Sequence, residues 1–111
     1  MQTKLDDVTL SVIQSSLQQV CNEMDVAFQR AAFSPTISET MDRSDGIYHP
    51  NTGELIAQGE WGMPIFVGCM RFSTQAALEY IRARDMPVEE GDVFMFNDPY
   101  MGGTHVMDVK F

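Results

Sequence analysis

Basic residues, cysteines and long apolar runs are what this chain has little of, and each shortage excludes something. Its 111 residues hold 7 Lys and Arg against 16 Asp and Glu, a formal charge of −9 at pH 7. Nucleic acids and anionic membrane surfaces are held through clustered Lys and Arg, so neither is an expected partner. The acidity itself reads as a solvated surface. Two cysteines, Cys21 and Cys69, are too few and too far apart in sequence for a disulfide framework. Cys21 lies beside an apolar helical stripe and reads as a small buried thiol. No apolar stretch is long enough to span a bilayer. Met1-Gln2-Thr3-Lys4 runs directly into Asp6-Asp7 without the apolar segment of a secretory signal, so a cytoplasmic location is the expectation.

What is present is a globular composition, 44% hydrophobic, of a length that suits one domain. Leu10, Ile13, Leu17, Val20, Met24, Phe28 and Ala31 step by three or four along residues 7–33 and predict a long helix. Asp6 or Asp7 suits its N-cap, and Ser34-Pro35 ends it. Residues 36–45 are polar and lack a period. Gly46-Ile47-Tyr48 and Glu54–Gln58 read as a hairpin around the turn formers of residues 49–53. Residues 59–68 read as a Gly-punctuated apolar connection. Phe72, Ala76, Ala77, Tyr80 and Ile81 predict a second helix ending near Arg84-Asp85. Val93–Phe96 and His105–Phe111 read as further strands flanking a loop. The fold class expected is α+β, with a small sheet against helices. The final residues, Val109-Lys110-Phe111, continue an apolar strand pattern where domains usually end in polar, flexible chain, so residues 1–111 read as a truncated segment of a larger domain.

The segment that could carry chemistry is Asn97 to Asp108. An apolar strand feeds a loop with Pro99 and the pair Gly102-Gly103, then Thr104, His105 and, three residues on, Asp108. Imidazole and carboxylate together are a usual first shell for zinc, manganese or iron. In a regular strand residues three apart point to opposite faces, so His105 and Asp108 reach one ion only through a turn or bulge. Two ligands are also too few for a complete site. On spacing alone, a His at a strand start and a solvated Asp is the better account of the pattern. His49 sits in a turn and is a poor candidate ligand. Glu39 and Asp42 read as a solvated loop rather than an acid/base pair. Trp61, Phe66 and Phe72 read as packing residues rather than a pocket lining. The nine Met residues read as adaptable packing.

Asn97-Asp98-Pro99-Tyr100, followed by Gly102-Gly103-Thr104-His105 and Asp108-Val109, resembles the signature of the hydantoinase B/oxoprolinase family. Asp7–Ile13, Glu23-Met24 with Arg30 and Ser34-Pro35, Asp42-Arg43-Ser44-Asp45, Gly53–Gln58 and Gly91-Asp92-Val93 resemble the family in the same register. The resemblance covers nearly the whole chain but only the N-terminal portion of the family's longer subunits. It implies that His105 and Asp108 bind a divalent transition metal (Mn, Zn or Fe) together with a later His. By proximity in sequence, Asp98, Gly102, Gly103 and Thr104 read as a supporting or substrate loop, with Asp98 orienting His105 through its other ring nitrogen. Relatives carry His in the region of residues 59–68, where Trp61 and Phe66 stand here, so no catalytic residue is assigned. The resemblance further implies an ATP-dependent cyclic amidase opening a hydantoin or lactam ring. A hydantoinase A-type partner subunit in a hetero-oligomer would phosphorylate the substrate. A ketone carboxylase subunit of the same family, or a non-catalytic scaffold docking through the long helix, are the other readings.

Overall fold

A computed structural model describes residues 4–111. The chain divides into two compact units. One holds residues up to Ile47 together with Ile56–Met63, and the other holds Tyr48–Leu55 and Pro64–Phe111. The α+β class holds, with α1 (Asp7–Ala31), α2 (Pro35–Ser38), β1 (Gly46–Tyr48), β2 (Leu55–Gln58) and α3 (Pro64–Ala83), then a 3₁₀ turn at Pro99–Met101. The two strands pair as a hairpin.

In the first unit α1 starts where the sequence places it. Asp6 is the N-cap, its Oδ1 accepting from Thr9 N at 2.9 Å and its Oδ2 from Thr9 Oγ1 at 2.7 Å. These bonds favour the ionised form and hold the Asp6 carboxyl below its ordinary pKa. The helix closes with Ala32 N donating to Phe28 O, and Pro35 then opens α2 at its first turn, where the missing N–H costs nothing. The short α2 lies in the stretch that showed no period, too short to display one. Gln29 Nε2 ties it to α1 by donating to Ser38 O at 2.9 Å.

The buried line of α1 is not its apolar stripe. Cys21 and Asp25 are the residues of α1 that are buried. Asp25 receives a two-pronged contact from Arg43, Nε to Oδ1 at 2.8 Å and Nη2 to Oδ2 at 3.0 Å, while Arg43 Nη1 donates to Ile37 O at 2.5 Å. Both side chains are 1% exposed. An ion pair withdrawn this far from water is tolerated because its donors and acceptors are matched, and breaking either half leaves a bare buried charge.

In the second unit α3 begins at Pro64, within the segment expected to be a connection. The glycines there mislead: Gly62 lies before the helix, and Gly68 is carried inside it. The end near Arg84-Asp85 is as expected, with Asp85 at φ 49° taking the left-handed position that closes the last turn. The hairpin tip is held by α3, since Gln75 Nε2 donates to Thr52 O and Arg82 Nη2 to Asn51 O, at 3.1 and 2.8 Å. His49 is a turn residue, its Nδ1 accepting from Asn51 N and Thr52 N.

The expected strands at 93–96 and 105–111 do not form. Among the described residues of this region a single antiparallel bridge joins Phe96 and Lys110, with bonds of 3.0 and 2.9 Å. Tight turns at 98–103 and 105–108 consume the residues between, so no ladder extends from that pair. Among the described residues no helix is long and apolar enough to cross a membrane.

A candidate metal-binding turn

The loop between Phe96 and Lys110 is built from its glycines upward. Asp98 caps the 3₁₀ turn, its Oδ1 accepting from Tyr100 N at 2.9 Å and its carbonyl accepting from Met101 N and Gly103 N. Gly102 lies at φ 80°, and a Cβ there would stand 2.7 Å from Phe72 O. A Cβ on Gly103 would stand 2.5 Å from Asp98 O. Both positions exclude a side chain, one by conformation and by contact, the other by contact. Ser73, buried on α3, fastens the turn by donating from Oγ to Gly102 O.

The chain then turns sharply. Asp108 N donates to His105 O at 2.9 Å, which closes a four-residue turn and swings both side chains to the same side. This is the turn that three-residue spacing requires. His105 Nδ1 and Asp108 Oδ1 lie 3.3 Å apart, with side-chain exposures of 65% and 19%. The carboxylate is fixed from its other oxygen, Oδ2, which accepts from Thr104 Oγ1. Lys110 Nζ donates to Thr104 Oγ1 at 3.2 Å and to Asp108 O at 3.4 Å, and Asn97 Nδ2 steadies the turn by donating to Val106 O at 2.6 Å.

The donor set suits a divalent transition metal. Two donors each about 2.1 Å from one cation stand roughly 3.0 to 3.4 Å apart at octahedral to tetrahedral angles, which brackets the observed spacing. Asp108 is held from behind and His105 opens to solvent, so a cation would approach from the imidazole side. Among the described residues no group of three or more His, Cys, Asp or Glu gathers around a common point. The pair therefore offers two ligands, and further ones would have to be supplied from elsewhere.

Of the residues the sequence singled out, Gly102 and Gly103 lie in the preceding turn, and Thr104 directly supports the His105–Asp108 turn. Asp98 supports it indirectly, by capping the preceding turn, and makes no hydrogen bond to His105. Sequence reasoning missed Ser73, Asn97 and Lys110 as supports. Ser73 lies in a helix between Phe72 and Thr74 and carries no local signal of a partner near residue 102. Trp61 and Phe72 are exposed and Phe66 is half-buried, so none of the three forms a buried core. Trp61 flanks a shallow cavity of about 310 Å³ along α1 together with Gln19, Asn22, Glu23 and Arg30. That cavity holds neither His105 nor Asp108, and the loop geometry is the stronger pointer to chemistry. Glu39 is exposed and caps the end of α2, as a solvated residue should.

Comparison with known proteins finds relatives along nearly the whole chain. A family model described as hydantoinase B/oxoprolinase matches residues 6–111. The chain is 36% identical over 105 residues to an uncharacterized protein of Methanocaldococcus jannaschii, covering 95% of this chain and 18% of that protein. It is 30% identical over 107 residues to a 5-oxoprolinase of Dictyostelium discoideum, covering 96% of this chain and 8% of the other. It is 29% identical over 108 residues to a putative D-/L-hydantoinase B-type subunit of a Pseudomonas species, covering 97% and 18%. The chain thus spans less than a fifth of the length of these relatives. No solved structure matches it.

Proposed function

The chain belongs to the hydantoinase B/oxoprolinase family, and from that premise we propose that it contributes the His105–Asp108 metal-ligand pair to an ATP-dependent cyclic amidase. The observation that carries this reading is the turn that sets His105 Nδ1 and Asp108 Oδ1 3.3 Å apart. The names of two relatives, a 5-oxoprolinase and a hydantoinase component, denote cyclic amides as substrates. They favour ring opening over ketone carboxylation.

A lactam or hydantoin carbonyl is resonance-stabilised and a poor electrophile. A hydantoinase A-type subunit, as the partner in a cytoplasmic hetero-oligomer, would transfer the γ-phosphoryl group of ATP to the amide oxygen. Water then adds to the activated carbon. The C–N bond breaks with its electron pair going to nitrogen, which takes up a proton, and a second water releases phosphate from the resulting acyl phosphate. The divalent metal supplies Lewis acidity for activating water or holding negative charge on oxygen. His105 and Asp108 would hold it, while Thr104 fixes the carboxylate rotamer and the glycine pair holds the loop in register.

Paramagnetic relaxation tests the site in the chain itself. Titration with Mn²⁺ is expected to broaden the amide signals of residues 104–108 first, and His105→Ala or Asp108→Ala is expected to abolish that selectivity. Broadening spread over the acidic surface, with residues 104–108 unaffected, would overturn the assignment. With the rest of the family polypeptide and a hydantoinase A-type subunit supplied, His105→Ala should lower ADP release driven by 5-oxoproline or hydantoin by at least about a hundredfold.

A further inference from the structure

Helix α1 is exposed in a way that a solvent-facing helix is not. From Val8 to Asn22 it carries no charged residue. At the chain's overall charged share of 21%, about three charges are expected in such a stretch. Its polar positions there are Thr9, Ser11, Gln14, Ser15, Ser16, Gln18, Gln19 and Asn22, all neutral. Loss of charge, more than gain of hydrophobicity, marks the centre of an interface.

Apolar side chains of the same stretch face outward, apart from half-buried Leu17 and buried Cys21. Leu10 is 44% exposed, Ile13 41% and Val20 47%, and Met24, one turn further on, 42%. They form a stripe, while the line turned inward is that of Cys21 and Asp25. Val12 is 60% exposed, and at 100° per residue it projects on a side well away from Ile13 and Val20. One partner helix covers a single stripe. Coverage of both sides requires a larger body.

We infer that α1 is an interface helix, and that its occupant is the remainder of the family's larger polypeptide, seated through an uncharged apolar face. The relatives carry more than four-fifths of their length outside the part this chain matches, so such a body belongs to the family. A second copy of the chain is the weaker occupant. Each copy brings a charge of −9, which opposes close self-association. The inference does not rest on the cyclic amidase reading, because it is read out as association.

The test mixes the chain with the separately expressed part of the Methanocaldococcus jannaschii relative that lies outside the matched stretch. Light scattering after size exclusion is expected to give a one-to-one complex, with slowed hydrogen exchange over residues 8–24 on both sides of α1. The double variant Ile13→Glu/Val20→Glu should weaken association about a hundredfold or more, while Val20→Ile retains it. Circular dichroism of the free variants shows whether α1 persists. If they unfold, the exchange footprint on the wild-type chain decides. Absence of a complex, a complex with unprotected α1, or a homodimer of this chain protected along α1 would each overturn the inference.

Discussion

At the scale of single residues, Asp45 is the group under most tension. Both of its carboxylate oxygens and the neighbouring Ser44 Oγ are buried without a hydrogen-bond partner among the described residues. Arg43 lies two residues away in sequence, but its guanidinium is committed to Asp25 and Ile37 O. Burial raises the Asp45 pKa above its ordinary value, the negative charge of Asp25 adds to the rise, and Arg43 partly opposes it. A folded-state pKa above the unfolded value means that the fold binds this proton more tightly. The associated stability is complete below the unfolded pKa and is lost as pH rises through the folded one. Asp45→Asn removes that titration, so its melting temperature should gain on the wild type as pH is raised from 4 to 7. A gap that stays flat or narrows over that range would refute the assignment. Cys21, beside it, has its thiol pKa raised by burial and by the charge of Asp45, which keeps it protonated and inert. The sequence could not choose among the acids that might pair with Arg43. Asp42 and Asp45 are near it in the chain, yet the partner is Asp25 on α1, and no local pattern encodes a contact made by tertiary folding.

At the scale of elements, legibility followed the range of the interactions that define each one. α1 was legible because its period, its Asp6 cap and its Pro35 stop are all local. The hairpin was legible from its turn formers. Val93–Phe96 and His105–Phe111 had strand composition, but a strand exists only where a partner ladder runs alongside, and here one bridge forms. The start of α3 was hidden by glycines whose opposite roles cannot be told from composition. Gly68 sits inside α3 with nothing within 4 Å of a would-be Cβ, whereas Gly102 is at φ 80° against the backbone of Phe72. The two should therefore respond oppositely to alanine. Gly68→Ala is expected to stabilise the second unit by about 0.5–1 kcal/mol through helix propensity. Gly102→Ala should cost about 1–3 kcal/mol, because a left-handed backbone with a Cβ is strained and the carbonyl of Phe72 must move. Thermal melts of both variants check the signs. The second should also lose the selective Mn²⁺ broadening at residues 104–108, since the Ser73–Gly102 fastening sets where His105 and Asp108 stand.

At the scale of the whole molecule, the balance of charge and burial governs stability. The buried hydrophobic core among the described residues is Cys21, with Asp25, Arg43 and Ser73 buried beside polar partners. A molecule with so little apolar interior has a small margin, and weak long-range forces become visible in it. Sixteen acidic residues face seven basic ones. The ion pair of Glu54 with Arg71 is exposed and 3.9 Å long, so it offsets little of the repulsion. Added salt screens charges at the surface over about 8–10 Å at moderate ionic strength, while the enclosed Asp25–Arg43 pair is nearly untouched. The melting temperature should therefore rise as sodium chloride is raised from about 20 mM to about 300 mM, a range over which screening changes strongly. Net repulsion between like charges predicts that sign, and dominance of attractive surface pairs predicts the reverse. A fall in melting temperature with salt would show that attraction, not repulsion, governs this acidic surface.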